Sequence, residues 1–337
     1  MSTRRNFLQS LSAAGLVGCL PDEKNRLLAE QSLPPEDEIP PEEVRDFVQP
    51  ITETEDFYVM ASSLPPSEEW LENWQLTIRG LSEEPLQLSL PAIQELPQAL
   101  VEHTLECIGN TGSKLISNGQ WDGVLLTDLL AAYGLQVSTS HIMMRCGDGY
   151  TTSLPVSVLA EGLRLVWTLN GEELPLAHGQ PVRLLVPGRY GMKNPKWIEE
   201  IEFTDEPELG YWEQYGWSDT AVYQLHSWFH RPAANAWLTG GEGIDVVGSA
   251  FAGRDQIERV EISFDQGSSW NDCEITYPSQ ENAWTLWRYR WNPATTGPYT
   301  LMVRATDEHG NVQQDLEQYD EELDGFQGIQ RLRLFVN

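Results

Sequence analysis

The sequence changes character near residue 220, and this change limits which folds the chain can adopt. Between about 51 and 215, short strand-like runs mix with short helical segments. Leu90–Leu96 has a proline near its start and Thr127–Gly134 ends in glycine, and both features mark helix boundaries. The segment has no regular βαβ alternation, no GxGxxG and no P-loop, which argues against a dinucleotide-binding fold. We therefore predict an α+β domain over 51–220.

Beyond residue 221 the sequence is typical of an all-β domain. Turn signals containing glycine lie between or after apolar, strand-like runs. The runs are 244–248, 257–264, 284–291 and 299–305. This spacing of strands and turns predicts an immunoglobulin-like sandwich over 221–337. Such a sandwich needs no chemistry of its own, so its expected role is to form an interface or to support the first domain.

Residues 1–20 have the layout of a removable export signal. Arg4 and Arg5 precede a short, weakly apolar stretch that is too short to span a bilayer. The arginine pair predicts the twin-arginine route, which exports proteins already folded. The four residues that end at Cys19 also match a lipoprotein cleavage box, in which Cys19 would become the lipidated first residue. The alternative is an ordinary apolar N-terminus with a chance arginine pair.

Composition excludes several classes of function. The 337 residues include 51 acidic and 21 basic ones, for a net charge of −30, which argues against binding to nucleic acid or to an anionic membrane surface. A cationic partner or a salty medium would suit this charge. Residues 21–50, rich in Pro, Glu and Asp, predict a solvated linker. The four cysteines form no CxxC or CxxCH, so neither a structural zinc site nor a c-type haem is expected.

The segment 178–198 carries the clearest chemical signal. It contains no acidic residue in a chain that is rich in them. Its basic side chains are His178, Arg183, Arg189, Lys193 and Lys196. Glycines beside these cations let backbone N–H groups approach an anion closely, and arginine and lysine both bind phosphate. The segment therefore predicts an anion-binding site, and the alternative is a strand with ordinary exposed bases.

Cys107 is the cysteine whose surroundings suggest chemistry. It lies in the segment His103-Thr104-Leu105-Glu106-Cys107-Ile108-Gly109-Asn110. A lone cysteine is more often a small buried apolar residue than a ligand. As a thiolate, however, it would suit a soft or high-valent metal, and coordination would deprotonate it.

Five segments follow one another in a specific order and spacing along residues 50–335. They are Ile51-Thr52 with Phe57-Tyr58-Val59, Leu105-Glu106-Cys107-Ile108-Gly109-Asn110, Asp148-Gly149-Tyr150-Thr151-Thr152-Ser153-Leu154-Pro155, His178-Gly179-Gln180-Pro181-Val182-Arg183 and Val186-Pro187-Gly188-Arg189-Tyr190-Gly191-Met192-Lys193-Asn194-Pro195-Lys196-Trp197. Together they resemble the sulfite oxidase family of molybdopterin enzymes. The resemblance implies a sulfite-oxidase-type α+β molybdopterin-binding domain, a dimerisation sandwich, a molybdenum–molybdopterin cofactor and a homodimer.

The resemblance also implies roles for individual residues. Cys107 would be the protein thiolate on molybdenum. Tyr150 would be an active-site tyrosine that hydrogen-bonds a substrate oxygen. The implied cofactor contacts are Tyr58, Val59, Cys146, His178, Arg183, Gly191, Met192, Lys193 and Lys196. Cys146 could equally be plain core, and Tyr150 a strand-edge aromatic.

The sequence departs from the family pattern where the substrate would bind. Sulfite-oxidising members usually carry Arg-Asn-His where Met60-Ala61-Ser62 stands here, and arginine where Thr111-Gly112-Ser113 stands. Arg254, expected to reach over from the sandwich as a catalytic residue, or Lys114 or Lys196, could substitute for those arginines. Because a desolvated dianion needs paired cations, these departures weaken the case for sulfite itself.

The sequence therefore predicts an exported molybdenum oxidoreductase. It would transfer an oxygen atom between water and a small sulfur or related oxyanion. Its electrons would pass to an external partner, such as a cytochrome c or a membrane redox protein, that the acidic surface would steer. One alternative is a sulfoxide reductase resembling the periplasmic methionine sulfoxide reductases, which generally lack the sandwich. The other is a non-enzymatic surface binding module.

Overall fold

The computed structural model describes residues 48–240, 243–278, 280–315 and 323–337. The predicted export signal, the lipoprotein box at Cys19 and nearly all of the linker lie outside these residues. Within the described ranges, no helix is both long enough and apolar enough to cross a membrane.

The first domain contains two sheets. The larger one is mixed, with strand order β2-β1-β11-β5-β6, and β1 pairs with β11 in parallel. The smaller one is antiparallel, with strand order β10-β7-β4-β3. The strands are β1 (Leu76–Arg79), β2 (Leu86–Leu88), β3 (Ala99–Glu106), β4 (Ile116–Leu125), β5 (His141–Cys146), β6 (Thr151–Pro155), β7 (Arg164–Val166), β8 (Thr168–Leu169), β9 (Glu172–Glu173), β10 (Arg183–Leu185) and β11 (Ile198–Thr204). One apolar core, built from side chains of both sheets, holds the sheets together.

Three short α-helices accompany these sheets. They are α1 (Glu68–Glu72), α2 (Leu90–Gln94) and α3 (Leu126–Ala132). Ser67 caps α1 by accepting from the backbone N–H of Trp70, and α2 has the proline in its first turn that the sequence predicted. Gly134, with φ of +67°, follows α3 in the left-handed conformation that glycine adopts readily. The described part of the first domain is thus mostly β, with less helix than the α+β prediction implied.

Short 3₁₀ turns connect several strands and carry residues of interest. They span Val156–Glu161, Leu176–His178, Gly191–Lys193 and Glu213–Tyr215. Two of them, Leu176–His178 and Gly191–Lys193, flank β10; the first ends where the cation-rich segment begins and the second lies within that segment. The backbone of this segment therefore turns sharply on both sides of one buried strand.

The second domain consists of two sheets around a shared apolar core. One has strand order β12-β14-β18-β17 and the other β13-β20-β19-β15-β16. The strands are β12 (His226–Arg231), β13 (Trp237–Leu238), β14 (Ile244–Phe251), β15 (Ile257–Ser263), β16 (Asn271–Asp272), β17 (Glu274–Tyr277), β18 (Thr285–Trp291), β19 (Gly297–Asp307) and β20 (Gln330–Val336). All four predicted strand runs are present. The immunoglobulin-like topology stays a prediction.

The second domain covers an edge of the first. β3 lies at the end of its sheet, so one side of its backbone is not paired by a strand of that sheet. Thr104, near its end, donates its backbone N–H to the carbonyl of Asn282 at 2.8 Å, and its Oγ1 accepts from the backbone N–H of Trp284 at 2.9 Å. The two domains therefore meet beside the last residues of β3.

Candidate active site

A cavity of about 930 Å³, including its open mouth, lies at the end of β3. Its wall contains many of the residues singled out in the sequence: Tyr58, Cys107, Tyr150, His178, Arg183, Gly191, Met192 and Lys196. The other lining residues are Phe57, Met60, Ala61, Ser62, Leu105, Ile108, Gly109, Asp148, Asn194, Pro195, Trp197, Trp212 and Trp217. The fold thus brings the cysteine motif and part of the cation-rich segment to one place.

Cys107 is positioned by the turn that joins β3 to β4. Its backbone N–H donates to the carbonyl of Leu115 at 3.0 Å, and its carbonyl accepts from the N–H of Asn110 at 2.9 Å. These two bonds close the loop after β3 and fix where the cysteine side chain starts. The Cys107 side chain therefore lines the cavity, and the two hydrogen bonds of its backbone hold it there.

Glu106, the residue before Cys107, is anchored by the second domain. Its buried carboxylate accepts from Asn110 Nδ2 at 2.7 Å and from Trp228 Nε1 at 3.0 Å. Its other oxygen lies 3.0 Å from Nε2 of His226. His226 Nδ1 faces the carbonyl of Gln224 at 2.7 Å, so it carries a hydrogen there. Burial is the largest single influence and lowers the pKa of His226, but the charge and hydrogen bond of Glu106 and the Gln224 carbonyl together raise the pKa above its usual value.

Arg183 is a buried cation with no carboxylate partner among the described residues. Its Nη1 donates to the carbonyl of His178 at 3.1 Å and its Nη2 to that of Asn194 at 2.9 Å. Its buried Nε has no hydrogen-bond partner in the described part of the chain. Burial lowers the pKa of Arg183 to about 10. An unpaired guanidinium with a spare donor, on a cavity wall, is equipped to receive an anion.

Lys196 is the second cation on the cavity wall. Its Nζ donates to the carbonyl of Ala177 at 2.8 Å and lies 4.3 Å from the ring centroid of Trp197. Burial, and then the charge of Arg183, lower the pKa of Lys196 to about 7. A Cβ added at Gly179 would lie 3.0 Å from the Cβ of Arg183 and 3.1 Å from that of Lys196. Position 179 therefore needs a glycine, because the first side-chain carbons of Arg183 and Lys196 leave no room for a larger residue.

His178 lines the same wall but does not add a charge at neutral pH. It is buried, and burial, followed by the neighbouring Arg183 and Lys196, lowers its pKa to about 4. Its ring lies edge-on to Phe57, with centroids 5.4 Å apart. As a neutral imidazole it offers one donor and one acceptor to a polar ligand.

The other two cations of the segment pair with carboxylates and do not line the described cavity wall. Lys193, predicted as a cofactor contact, is fully buried and pairs with Glu213, and also donates to the carbonyl of Ser153 at 2.9 Å. Arg189 pairs with Glu161 at 3.1 Å. Each is neutralised by a carboxylate distant in sequence, so neither leaves a free charge for a ligand.

Three further predicted site residues also lie off the wall. Val59 is 42% exposed, and Cys146 is buried in the first domain at the end of β5. Arg254 packs its side chain against Gly188 and lies 3.4 Å from Glu281. The plain-core alternative for Cys146 matches its burial. The Arg254 guanidinium lies beside Glu281 near the surface, and its catalytic role stays a prediction.

The two tyrosines on the wall are both held in place. Tyr58 donates its backbone N–H to Ser117 Oγ at 3.1 Å. Tyr150 donates its hydroxyl to the carbonyl of Met192 at 2.6 Å. Burial raises the pKa of both phenols well above 10, so both remain protonated at neutral pH. Tyr150 therefore also fixes the turn that carries Gly191 and Met192.

Sequence reasoning missed two aromatic residues of the cavity, Trp212 and Trp217. They belong to a short run, 211–217, that contains four aromatic side chains in seven residues. This density of aromatic residues is a signal from which the two tryptophans could have been predicted as site residues. Trp217 is 8% exposed, and its indole N–H has no hydrogen-bond partner among the described residues.

Known families match both domains of the chain. One, described as the oxidoreductase molybdopterin binding domain, matches residues 62–212. Another, described as the Mo-co oxidoreductase dimerisation domain, matches residues 220–323. The uncharacterised oxidoreductase YuiH of Bacillus subtilis (strain 168) is 32% identical over 165 residues, which are 49% of this chain and 82% of that protein. The chain belongs to the sulfite oxidase family of molybdopterin-dependent oxidoreductases. It is therefore an enzyme, and the non-enzymatic alternative is wrong.

The names of relatives within the sulfite oxidase family describe different reactions. Mitochondrial sulfite oxidase of Rattus norvegicus is 27% identical over 279 residues, 68% of this chain and 51% of that one. The NADPH nitrate reductase of Aspergillus niger is 29% identical over 280 residues, 67% and 32% of the two chains. This chain thus spans about half the length of the mitochondrial sulfite oxidases it matches. The sulfane dehydrogenase SoxCD from Paracoccus pantotrophus has the same fold, with a TM-score of 0.68, 23% identity and coverage of 77% and 75%.

The residues of the cavity fit a molybdopterin cofactor. The family binds molybdopterin. The phosphate group of molybdopterin needs cations whose charge no carboxylate has neutralised. Arg183 and Lys196 meet that need, and the unpartnered Nε of Arg183 is a donor left over for a ligand. Cys107, on the same wall, is the thiol suited to the metal. When bound, the cofactor would supply two-electron oxygen-atom transfer at molybdenum.

Proposed function

We propose that the chain transfers an oxygen atom between water and a small sulfur compound, with Cys107 as the thiolate ligand to molybdenum. The observation that carries this proposal is the shared cavity wall of Cys107, Arg183 and Lys196. A soft ligand and two unneutralised cations are the protein groups that a metal with a phosphorylated organic ligand requires.

The protein's own residues would divide the work within this cavity. Arg183 and Lys196 would hold the phosphate, and His178 would offer polar contacts to the pterin. Tyr150, protonated and hydrogen-bonded to the carbonyl of Met192, would fix the turn beside the site. Trp212 and Trp217 would keep bulk water away from the reacting atoms, since both are aromatic groups of the wall.

The electrons of the reaction would pass to a separate redox protein. The chain's charge of −30 would attract a basic one-electron partner such as a cytochrome c. The match of residues 220–323 to a dimerisation domain supports a homodimer. The adjacent Arg4 and Arg5 support export by the twin-arginine route, with a lipid anchor at Cys19 as a further element of the proposal.

Metal analysis tests the proposed function directly. The full chain would be produced in a host that makes molybdopterin, and its molybdenum and released pterin would be measured. We expect about one molybdenum per chain in the wild type and a loss of the metal in Cys107→Ser. Wild-type protein without molybdenum and without a pterin fluorophore after denaturation would refute the proposal.

A sulfoxide reductase is a second candidate within the same chemistry. The observation in its favour is that Arg183 and Lys196 are the only arginine and lysine side chains on the described cavity wall, and both suit the cofactor. No further arginine lines the wall to meet an anionic substrate in the described part of the chain. Turnover of sulfite compared with turnover of sulfoxides separates the two candidates.

A further inference from the structure

Exposed apolar side chains are concentrated beside the cavity. Eight large hydrophobic side chains are exposed in the described part of the chain, and four of them lie within three residues of a cavity-lining residue. These four are Val59, Leu64, Leu209 and Tyr215, with exposed fractions of 42%, 47%, 57% and 59%. Single exposed apolar residues are ordinary, whereas a group of them around one opening is typical of a binding surface.

Two segments of the chain, which we call the mouth segments, carry these residues. Residues 53–69 contribute the lining residue Met60, and residues 205–220 contribute the lining residue Trp212. Both side chains are only partly buried. Because a lining residue that water also reaches lies near the opening, the exposed apolar residues beside Met60 and Trp212 border the mouth of the cavity.

The mouth segments are strongly acidic. Together they contain ten acidic residues and no lysine or arginine. Glu213 is buried and paired with Lys193, but the other nine acidic side chains are exposed. Glu208 lies 3.8 Å from Arg145, and Asp219 lies 3.7 Å from Lys193. Ion pairs of exposed carboxylates at such distances are weak, so the mouth keeps a negative field.

A path of packed rings leads from the mouth to the thiol. The ring centroids of Tyr215 and Trp212 are 6.3 Å apart, and those of Trp212 and Trp217 are 6.4 Å apart. A Cβ added at Gly109 would lie 3.4 Å from Cη2 of Trp217 and 3.9 Å from Sγ of Cys107. A protein docked over Tyr215 would therefore be separated from the thiol by two tryptophan rings and one glycine.

Charge decides which partner suits this surface. A second copy of the chain would present the same acidic mouth, and like charges placed against each other cost binding energy. The match to a dimerisation domain also lies elsewhere, at residues 220–323. A partner with a basic face would instead be attracted over a distance, and its apolar contacts could then cover the exposed side chains. The surface therefore fits a basic protein.

We propose that the mouth segments are the docking surface for a basic one-electron carrier protein, with Leu209 and Tyr215 at its apolar centre. This inference rests on the proposed function and places its electron partner on the chain. In the oxidising direction, the substrate sulfur gains an S–O bond to an oxygen from water, and both water protons are released. The two electrons then leave the enzyme one at a time, so two oxidised carriers are reduced for each oxygen atom transferred.

Calorimetry tests the apolar centre. The probe is oxidised mitochondrial cytochrome c, a basic carrier, titrated into oxidised, molybdenum-loaded enzyme at about 10 mM ionic strength, where charges are screened least. Tyr215→Ser should raise Kd about 5- to 30-fold, the usual effect of truncating an aromatic residue at the centre of an interface. Tyr133→Ser, which changes an exposed tyrosine at the end of α3, is the matched control and should leave Kd unchanged.

Stopped-flow kinetics test the acidic field. The variant Glu55→Gln, Glu206→Gln, Glu208→Gln removes three exposed carboxylates from the mouth segments. Enzyme reduced with dithionite, and then freed of it, is mixed with oxidised cytochrome c. The second-order rate constant should fall about three- to tenfold at about 10 mM ionic strength and equal the wild-type value at about 1 M, where the Debye length is about 3 Å.

The variant Glu83→Gln, Glu84→Gln, Glu95→Gln is the matched control for charge. It removes three exposed carboxylates of the same domain. Glu83 and Glu84 lie in the turn before β2, which is at the opposite edge of its sheet from β6. The control should keep the rate constant within about twofold of wild type, and every variant should keep the wild-type molybdenum content.

The outcomes separate the two levels of the proposal. Wild-type protein that lacks molybdenum overturns the proposed function and this inference with it. Molybdenum-replete enzyme overturns only the inference if the mouth variants leave Kd and the rate constant unchanged, or if the matched controls change them equally. A shift toward monomer in Tyr215→Ser, measured by sedimentation velocity, would assign the surface to a second copy and would also overturn it. Because the charge variant alters only exposed side chains, the test remains if Tyr215→Ser does not fold.

Discussion

Lys196→Met should stabilise the cofactor-free protein against unfolding and lower the affinity of the enzyme for the cofactor. The substitution removes the ammonium and keeps the apolar stem. The folded chain lowers the pKa of Lys196 from 10.5 to about 7, and each pKa unit corresponds to about 1.36 kcal/mol. This gives an upper limit of about 5 kcal/mol for burying the charge. Because Lys196 is only partly buried and loses its bond to Ala177, we expect a net gain of about 1–2 kcal/mol.

The gain from Lys196→Met should depend on pH with a defined sign. Between pH 7 and 10.5 the unfolded chain still binds the Lys196 proton while the folded chain has released it, so the wild type becomes more stable as pH rises through this window. The difference between variant and wild type should be largest at or below pH 7 and shrink toward pH 10. Urea unfolding of cofactor-free protein at pH 6.5, 8 and 9.5 measures this difference.

Arg189→Met is the matched control for this experiment. Arg189 comes from the same cation-rich segment, but it is paired with Glu161 rather than left for a ligand. Its removal should bring no stabilisation at any of these pH values. In the loaded enzyme, Lys196→Met should retain the cofactor about 10- to 100-fold less tightly, the usual range for losing a hydrogen bond to a charged group. A Lys196→Met variant that is less stable than wild type at pH 6.5 would refute the electrostatic reasoning.

Three further substitutions test other contacts of the site. Cys107→Ser should fold like the wild type, since its loop is closed by backbone bonds, yet contain less than about a tenth of the wild-type molybdenum, as metal analysis would determine. Lys193→Met should leave the carboxylate of Glu213 buried and unpaired and cost about 3–5 kcal/mol in urea unfolding; an effect below about 1 kcal/mol would contradict the buried pair. Trp228→Phe should remove one donor from Glu106 and cost about 1–3 kcal/mol, together with a reduced molybdenum content; unchanged values of both would argue against anchoring from the second domain.

The sequence predicted elements whose signals are local. The proline of α2, the glycine after α3 and the apolar runs of the second domain each depend on neighbouring residues alone. The hairpin of β3 and β4 was not predicted, because its buried polar residues interrupt the apolar pattern. Thr104 Oγ1 donates to Asn118 Oδ1 at 2.8 Å across that hairpin, so these polar groups are satisfied only after the strands have paired.

The site was predictable in kind but not residue by residue. An excess of cations between 178 and 198 predicted a place where an anion fits, and the fold leaves Arg183 and Lys196 without carboxylate partners among the described residues. The same excess also pointed to Lys193, whose partner Glu213 lies twenty residues further along the chain. Charge composition counts cations, whereas the fold decides which of them remain unneutralised. The same limit applied to Trp217, one of thirteen tryptophans, whose place on the cavity wall depends on tertiary contacts.

The contacts between the domains give the second domain a specific task. An edge strand such as β3 presents backbone groups that need hydrogen-bond partners, and the carbonyl of Asn282 is one such partner. The carboxylate of Glu106 is buried one residue before the thiol, and a buried charge needs hydrogen bonds that its own loop provides only in part. The indole N–H of Trp228 donates a further hydrogen bond to this carboxylate. Support from the second domain therefore acts on the strand that leads directly into Cys107, so the cysteine motif depends for its geometry on residues more than a hundred positions away.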